Sequence, residues 1–379
     1  MVVRPFWIQK IQKAWDKRSI VWLSGVRRVG KTTLARMFSD AVYFNCDLPS
    51  VVSSLEDPEW FFDNLSGEKI VIFDEIHRTP DPSRILKIAA DSYPHFRILA
   101  TGSSTLAATR KFRDTLTGRK IMISLPPVLW EECKDVFGIN SLDKRLLNGG
   151  LPEPLMAEKK DPYFFSEWMD SFYARDVQEL FGVRNRTGFL NLLKLLLRQS
   201  GGLIDYLSLS KLSGISRPAV KSYIEAMLLS QAIFLVTPFH GGGRRELTRR
   251  PKAYAFDTGF VTFLKGWDTI RDDDRGVLWE HLVLDTILTM VNPFELFYWR
   301  DKSGREIDFV VKCNNSLVTT IECKINPDQF NIKSLSAFRK LYPYGKNIVI
   351  SPLVKNPYKR EINSFLIEYH NLSSVKLCD

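Results

Sequence analysis

The sequence predicts an α/β protein in three parts: a parallel-sheet unit, a mostly helical middle and a second, smaller α/β unit. Three observations carry this. A short apolar run over residues 19–25 (SIVWLSG) ends in glycine and is followed, after a glycine-spaced loop, by a helical pattern over residues 33–38. Further runs at 69–75 and 96–101 are apolar without alternation and end in polar residues, as parallel strands buried on both faces do. The pattern then changes twice, to helical periodicity after the glycine and proline punctuation at 149–154, and back to mixed strands and helices from Gly276.

A chain of 379 residues is long for one domain. We expect boundaries at 1–147, 148–260 and 261–379. With 45% hydrophobic and 25% charged residues the composition is that of a folded protein. No apolar run reaches the ~20 residues a bilayer crossing needs; the stretch 192–197 is closed by Arg198. Residues 1–15 lack the apolar core and small-residue end of a secretion signal, so no membrane partner and a cytoplasmic location are expected. Cys46, Cys133, Cys313, Cys323 and Cys378 form no C-x-x-C pair and the histidines are scattered, so no zinc framework is visible. The cysteines are expected to be reduced. A net charge of +10 suits a polyanionic partner, nucleic acid before membrane.

The loop reads Gly25, Val26, Arg27, Arg28, Val29, Gly30, Lys31, Thr32, a full match to G-x-x-x-x-G-K-[ST], and continues into Thr33. The spacing has a physical reason. Gly25 and Gly30 let the backbone curl so that its N–H groups and the following helix N-terminus face phosphates. Lys31 supplies a point charge for the β- and γ-phosphates of ATP, and the Thr32 hydroxyl a ligand for Mg²⁺. After a second strand at 42–45, the third ends in Asp74-Glu75. There Asp74 would hold Mg²⁺, directly or through water, and Glu75 would polarise the attacking water. The strand 96–101 ends in Thr101-Gly-Ser103-Ser, whose Thr101 and Ser103 are candidates to sit beside Asp74 and sense the γ-phosphate. Arg119, before the strand 120–125, is either a surface arginine or a finger reaching the phosphates of its own or a neighbouring subunit, the latter in a homo-oligomer.

This order of elements resembles the AAA-type branch of P-loop ATPases. More narrowly, G-x-R-R-V-G-K-T-T-L, I-F-D-E-I, T-G-S-S and L-T-G-R are similar to one large prokaryotic AAA-type family. Its members pair this ATPase with a C-terminal region long labelled a domain of unknown function. The segments Gly149-Gly-Leu-Pro152, Tyr173-Ala-Arg-Asp176, Asp257-Thr-Gly259 and residues 299–308 fit the same family, so the resemblance spans nearly the whole chain. It implies ATP binding and leaves the biological role open.

In the middle part, residues 161–181 read as one amphipathic helix, whose Arg175-Asp176 pair is either an interdomain contact or a second phosphate-sensing arginine, the structural role being favoured. Helices at 188–199, 208–213 and 216–230 follow, with Gly214 in the last turn, Ser216 as cap and Pro218 in the first turn. Short helix, glycine turn and longer helix make a helix-turn-helix. With strands at 233–238 and 252–257 around a loop, the segment resembles a winged helix. The loop 240–252 carries Arg244, Arg245, Arg249, Arg250 and Lys252, and the recognition helix carries Arg217 and Lys221, a set suited to the phosphates of DNA. Winged helices also serve as protein contacts and as lids, and that alternative stands.

From Gly276 the order is helix (277–290), strands (294–299, 306–312, 317–323), helix (331–342) and strand (347–350). Glu322 and Lys324 share a strand face, and Asp308 comes from the preceding strand. Asp308 and Glu322 would make an oxygen site for Mg²⁺ or Mn²⁺, with Lys324 placing the nucleophile and Glu280 adding a helix ligand. The constellation resembles the PD-(D/E)XK nuclease family through Asp308, Glu322-Cys-Lys324 and Glu280, departing from it where Ile307 replaces proline. Together these readings predict an ATP-hydrolysing, DNA-interacting protein, with an ATP-regulated, metal-dependent endonuclease as the most specific form. The rival is a nucleotide-dependent protein-binding switch that uses a silent nuclease-like fold as scaffold.

Overall fold

The computed structural model describes residues 2–65, 67, 70–102, 110–178, 181–240, 250–314 and 317–377. Strands β1 (Ile20–Ser24), β2 (Ala41–Asn45), β3 (Ile70–Asp74), β4 (Arg97–Thr101) and β5 (Lys120–Ser124) form a sheet in the order β2-β3-β4-β1-β5. Every pair is parallel, so all C-terminal ends share one edge. The unbroken apolar runs follow from the layers. Val21 and Leu23 face one core with Ile72 and Leu99, while Ile20 and Trp22 face the other with Val71, Phe73 and Ile98. Alternate residues are thus buried on opposite faces. This parallel sheet is that of an AAA-type P-loop domain, with β4 inserted between the P-loop strand and the strand ending at Asp74.

The expected helical region follows, with one difference. Where a single helix was expected over 161–181, an α-helix Pro162–Phe172 passes into a π-helical turn, Tyr173–Gln178. The wider turn re-aims Arg175 and Asp176, which line the cavity above the P-loop. The helix Arg186–Arg198 leads to two more, Tyr206–Ser213 and Arg217–Leu229. Between them Gly214 takes φ 72°, and Ser216 Oγ accepts from the Ala219 amide at 3.3 Å. The helix-turn-helix is therefore formed as its caps imply.

The remaining strands are β6 (Gly202–Leu203), β7 (Ile233–Pro238), β8 (Lys252–Ala255), β9 (Leu296–Arg300), β10 (Glu306–Lys312), β11 (Val318–Cys323), β12 (Asn347–Ile350), β13 (Tyr358–Ile362) and β14 (Phe365–His370). They make one nine-stranded sheet, β13-β14-β12-β11-β10-β9-β7-β8-β6. The join is a short parallel pairing, Thr237 with Phe297 and Pro238 with Tyr298, so the sheet runs across residue 260. The hairpin β13–β14 turns on Asn363 and Ser364, both at positive φ (49° and 66°).

A buried ionic junction ties the parts together. The Asp257 carboxylate accepts from the amides of Gly150 (2.6 Å), Leu151 (3.2 Å) and Gly259 (2.7 Å). A Cβ on Gly149, itself at φ 83°, would lie 1.8 Å from Asp257 Oδ1, so only glycine fits. Fully buried Arg145 donates to the Val128 carbonyl (2.9 Å) and Thr258 Oγ1 (3.1 Å) and lies 3.5 Å from Asp285. Burial pushes Asp285 up to about 8 against the pull of Arg145, and pushes His281 down to about 3.

Cys46, Cys133 and Cys323 are buried free thiols, as expected, but Cys313 is disulfide-bonded, which corrects the all-reduced expectation. Among the described residues no helix is long and apolar enough to cross a membrane.

An unfolded aspartate titrates near 4. With its folded value near 8, Asp285 holds its proton in the folded chain where the unfolded chain has lost it, so stability falls as pH rises through that window. Thermal melting at pH 5 and pH 8 should show a larger drop in Tm for the native protein than for Asp285→Asn. Equal drops in both would refute this assignment.

Candidate nucleotide site and C-terminal carboxylate cluster

The loop after β1 is shaped by Gly25 (φ 153°), Arg28 (φ 60°) and Gly30 (φ 100°). A Cβ on Gly25 would sit 2.6 Å from the Leu125 carbonyl oxygen, so a side chain there would push the loop off β5. Val26 and Val29 are buried and anchor the loop to the core. Trp168 Nε1 donates to the Arg27 carbonyl at 3.1 Å and pins it from the helical side. Lys31 Nζ donates to the carbonyls of Gly25 (2.8 Å) and Val26 (3.1 Å). Burial lowers its pKa, and Glu75 and Asp176 oppose that shift.

Above the loop is a cavity of about 580 Å³. One wall comes from the sheet: Gly25, Arg27, Arg28, Gly30, Lys31, Thr32, Thr33, Glu75 and His77. The other comes from the helical region: Pro152, Glu153, Glu167, Ser171, Arg175 and Asp176. Salt bridges cross it. Arg27 meets Asp176 at 3.3 Å, and Arg28 meets Glu167 at 2.7 Å and Glu153 at 4.0 Å.

Asp74 and Thr101 lie at the adjacent strand ends. The Asp74 carboxylate, only 3% exposed, accepts from the hydroxyls of Thr101 and Tyr43. Thr101 Oγ1 also accepts from the Glu75 amide at 3.0 Å, so one hydroxyl orients both acidic residues. Glu75 is held at φ 56°, its carboxylate 3.1 Å from His77 Nδ1. Burial would raise the Glu75 carboxyl, but His77 and Lys31 outweigh it and hold it below the usual range. Tyr43 and His77 were not singled out for this site from sequence. Tyr43 becomes visible only once β2 is known to pair with β3.

The structure does not bring every expected residue here. Ser103 lies outside the described residues. Arg119 precedes β5, at the sheet edge opposite the P-loop, roughly 17 Å away at the rise of a five-residue strand. There it pairs with Asp91 at 2.6 Å, the surface arrangement that was one of its two expected roles.

The C-terminal residues do converge. Continuing the Phe309–Ile321 register puts Asp308 opposite Glu322, and a bulge between Ile307 and Val310 re-aims Asp308. The Cys323 amide donates to Asp308 Oδ2 at 2.7 Å. Lys324 Nζ lies 2.8 Å from Glu322 and 3.5 Å from Asp308. The Glu280 carboxylate accepts from the Tyr254 hydroxyl and from Lys252 Nζ at 3.1 Å. Burial, then Asp308, push Glu322 up to about 8. Among the described residues no group of three or more His, Cys, Asp and Glu side chains is arranged to hold a metal ion. At Asp308 and Glu322, where Mg²⁺ or Mn²⁺ was expected, Lys324 meets both carboxylates, and the second Glu322 oxygen, Oε1, is buried without a hydrogen-bond partner.

Of the expected nucleic-acid contacts, Arg217 and Lys221 are exposed on the second helix of the helix-turn-helix. Arg250 is exposed and pairs with Asp205 at 2.8 Å. Arg244, Arg245 and Arg249 lie outside the described residues. Lys252 is a correction: it is 4% exposed and sits among the carboxylates, out of reach of a phosphate backbone.

Comparison with known proteins fits this layout. A family described as "AAA domain" matches residues 17–134. Two described as "Domain of unknown function", DUF8612 and DUF4143, match 139–271 and 275–370. The first part is thus a P-loop ATPase domain of the AAA type. Uncharacterized proteins of Mycobacterium bovis and Mycobacterium tuberculosis are each 27% identical over 316 residues, 80% of this chain and 70% of theirs. A Walker-type ATPase of Pyrococcus abyssi is 17% identical with a TM-score of 0.39, covering 68% of this chain and 94% of that one.

If Thr101 orients Asp74 and Glu75, Thr101→Val should slow ATP turnover about 10- to 100-fold, the usual range for an orienting partner. Nucleotide affinity should stay within about threefold, because the phosphate cradle is untouched. Phosphate release and fluorescent-nucleotide titration measure the two. Unchanged turnover would mean that the hydroxyl orients nothing.

Proposed function

We propose that the protein is an ATP-controlled switch that binds duplex DNA through its helix-turn-helix. The observation that supports this most is the divided cavity, whose walls belong to the P-loop domain and to the helical region. ATP entering it would need Arg27 and Lys31, and Arg27 is now paired with Asp176. A triphosphate competes for that arginine and repels the Asp176 carboxylate, which pushes on the π-helical turn and the Pro162–Phe172 helix. This helix cannot move alone. Phe165 stacks on Phe263 at 5.2 Å, and Trp168 on Phe256 at 4.6 Å, next to the buried Asp257. Nucleotide state is thereby linked to the helix-turn-helix and the large sheet.

Hydrolysis would reset the switch. Glu75, held as a carboxylate by His77 and Lys31, suits the role of orienting water. Thr32 and Asp74 supply the oxygens that Mg²⁺ accompanying ATP would use, and the ion would neutralise phosphate charge. DNA is favoured as partner by the net charge of +10 and by the exposed placement of Arg217 and Lys221.

The test is duplex binding against salt, with and without a non-hydrolysable ATP analogue. Arg217→Ala with Lys221→Ala should make the log–log salt slope shallower by about two, one per lost phosphate contact. The analogue should change native affinity, and affinity indifferent to nucleotide would remove the coupling. Absence of DNA binding with an intact nucleotide response would leave a protein-contact switch in its place.

A further inference from the structure

The C-terminal cluster has the outline of a metal site, and its chemistry is different. Asp308, Glu322, Glu280 and Glu306 converge there, and each meets a cation of the chain itself. Lys324 spans Asp308 and Glu322 at 3.5 and 2.8 Å. Lys252 spans Glu280 and Glu306 at 3.1 and 2.6 Å, and Arg300 takes the other Glu306 oxygen at 3.5 Å. The Tyr254 hydroxyl and the Cys323 amide add neutral donors to Glu280 and Asp308.

Lys252 is the unusual member. It comes from β8, in the part of the sheet that precedes the Asp308 and Glu322 strands, and it is only 4% exposed. Its ammonium lies 5.4 Å from the centre of the Tyr298 ring, a further cation-stabilising face. A buried ammonium survives only with partners, and this one has two carboxylates and an aromatic face. Four carboxyl groups face three cations, Lys252, Lys324 and Arg300. A divalent ion needs around six oxygen ligands, most of them free of other cations. To bind here it would have to displace Lys252, whose ammonium is buried, as well as the partly exposed Lys324.

We infer that this site is a metal-free ion-pair network in which Lys252 is the built-in cation, occupying the position that a divalent ion would require beside Glu280. Phosphodiester hydrolysis through a metal-bound water is therefore not the chemistry of this site. The inference stands on side-chain geometry alone and does not depend on the ATP-controlled reading above, which is tested by DNA affinity rather than by metal binding.

The experiment is Mn²⁺ titration of nucleotide-free protein, followed by electron paramagnetic resonance and calorimetry. Native protein and Asp308→Asn should bind Mn²⁺ identically, since the cluster contributes no site. Lys252→Met keeps the stem and removes the charge. It should gain Mn²⁺ affinity at least tenfold, and adding Asp308→Asn should abolish the gain. Where circular dichroism shows Lys252→Met unfolded, Lys252→Met with Glu306→Gln keeps the charge balance and should show the same gain. A native Mn²⁺ site lost in Asp308→Asn overturns the inference. So does a folded Lys252→Met, or its charge-balanced form, that gains none.

Discussion

A buried carboxylate is costly in isolation, and the structure is organised around the one at Asp257. Its three backbone N–H bonds come from segments far apart in sequence: Gly150 and Leu151 open the helical part, and Gly259 lies in the first turn of the helix Thr258–Leu264. Arg145 then ties the same helix, through Thr258, to the Val128 carbonyl. Removing any member would leave charges or donors stranded without water, which is why such a junction behaves as one unit. The turn that it fixes continues directly into Pro152, which lines the nucleotide cavity. The cavity's outer wall is therefore positioned by an ionic contact more than a hundred residues away in sequence.

That arrangement separates what can move from what cannot. The Gly149–Pro152 turn and the helix Thr258–Leu264 are locked together, with Arg145 and Asp257 fully buried. The salt bridges across the cavity are different in kind. Arg28 and Glu167 are partly exposed, at 33% and 44% of their side chains, where an ion pair contributes little. The wall carrying Asp176 is also built on a π-helical turn, a rare conformation that recurs at functional sites. Strong junction and weak latch together make a lid whose base is fixed and whose contact with the P-loop is replaceable.

Much of the first sheet was legible because its signals are local. The glycine spacing at Gly25 and Gly30, the unbroken apolar strands and the Asp74-Glu75 end each follow from a few adjacent residues. The helix-turn-helix was legible for the same reason, through Gly214 and the Ser216 cap. What escaped was non-local. Tyr43 meets Asp74 only through strand register, and the parallel pairing of Thr237 with Phe297 joins segments sixty residues apart. The hairpin β13–β14 did carry a local signal, Asn363-Ser364 between strand-forming residues, and could have been read from it. The single long helix expected at 161–181 failed because periodicity cannot distinguish an α-turn from a π-turn.

Lys252 makes the limit concrete. In sequence it is one of five basic residues around a glycine-rich loop, and the loop's polarity assigns it to solvent. In β8, however, alternation governs, and burial of all four strand residues leaves its ammonium no route to water. Glu280 and Glu306 lie within reach, so the lysine turns inward and meets them. The carboxyl groups, for their part, share one buried space, and burial with the neighbouring Asp308 pushes Glu322 up to about 8 even so. Convergence of Asp308, Glu322 and Lys324 was correctly anticipated from strand geometry. The chemistry of the cluster was set by a residue from a different part of the chain, because electrostatic balance in a buried site counts every charge that the fold delivers to it.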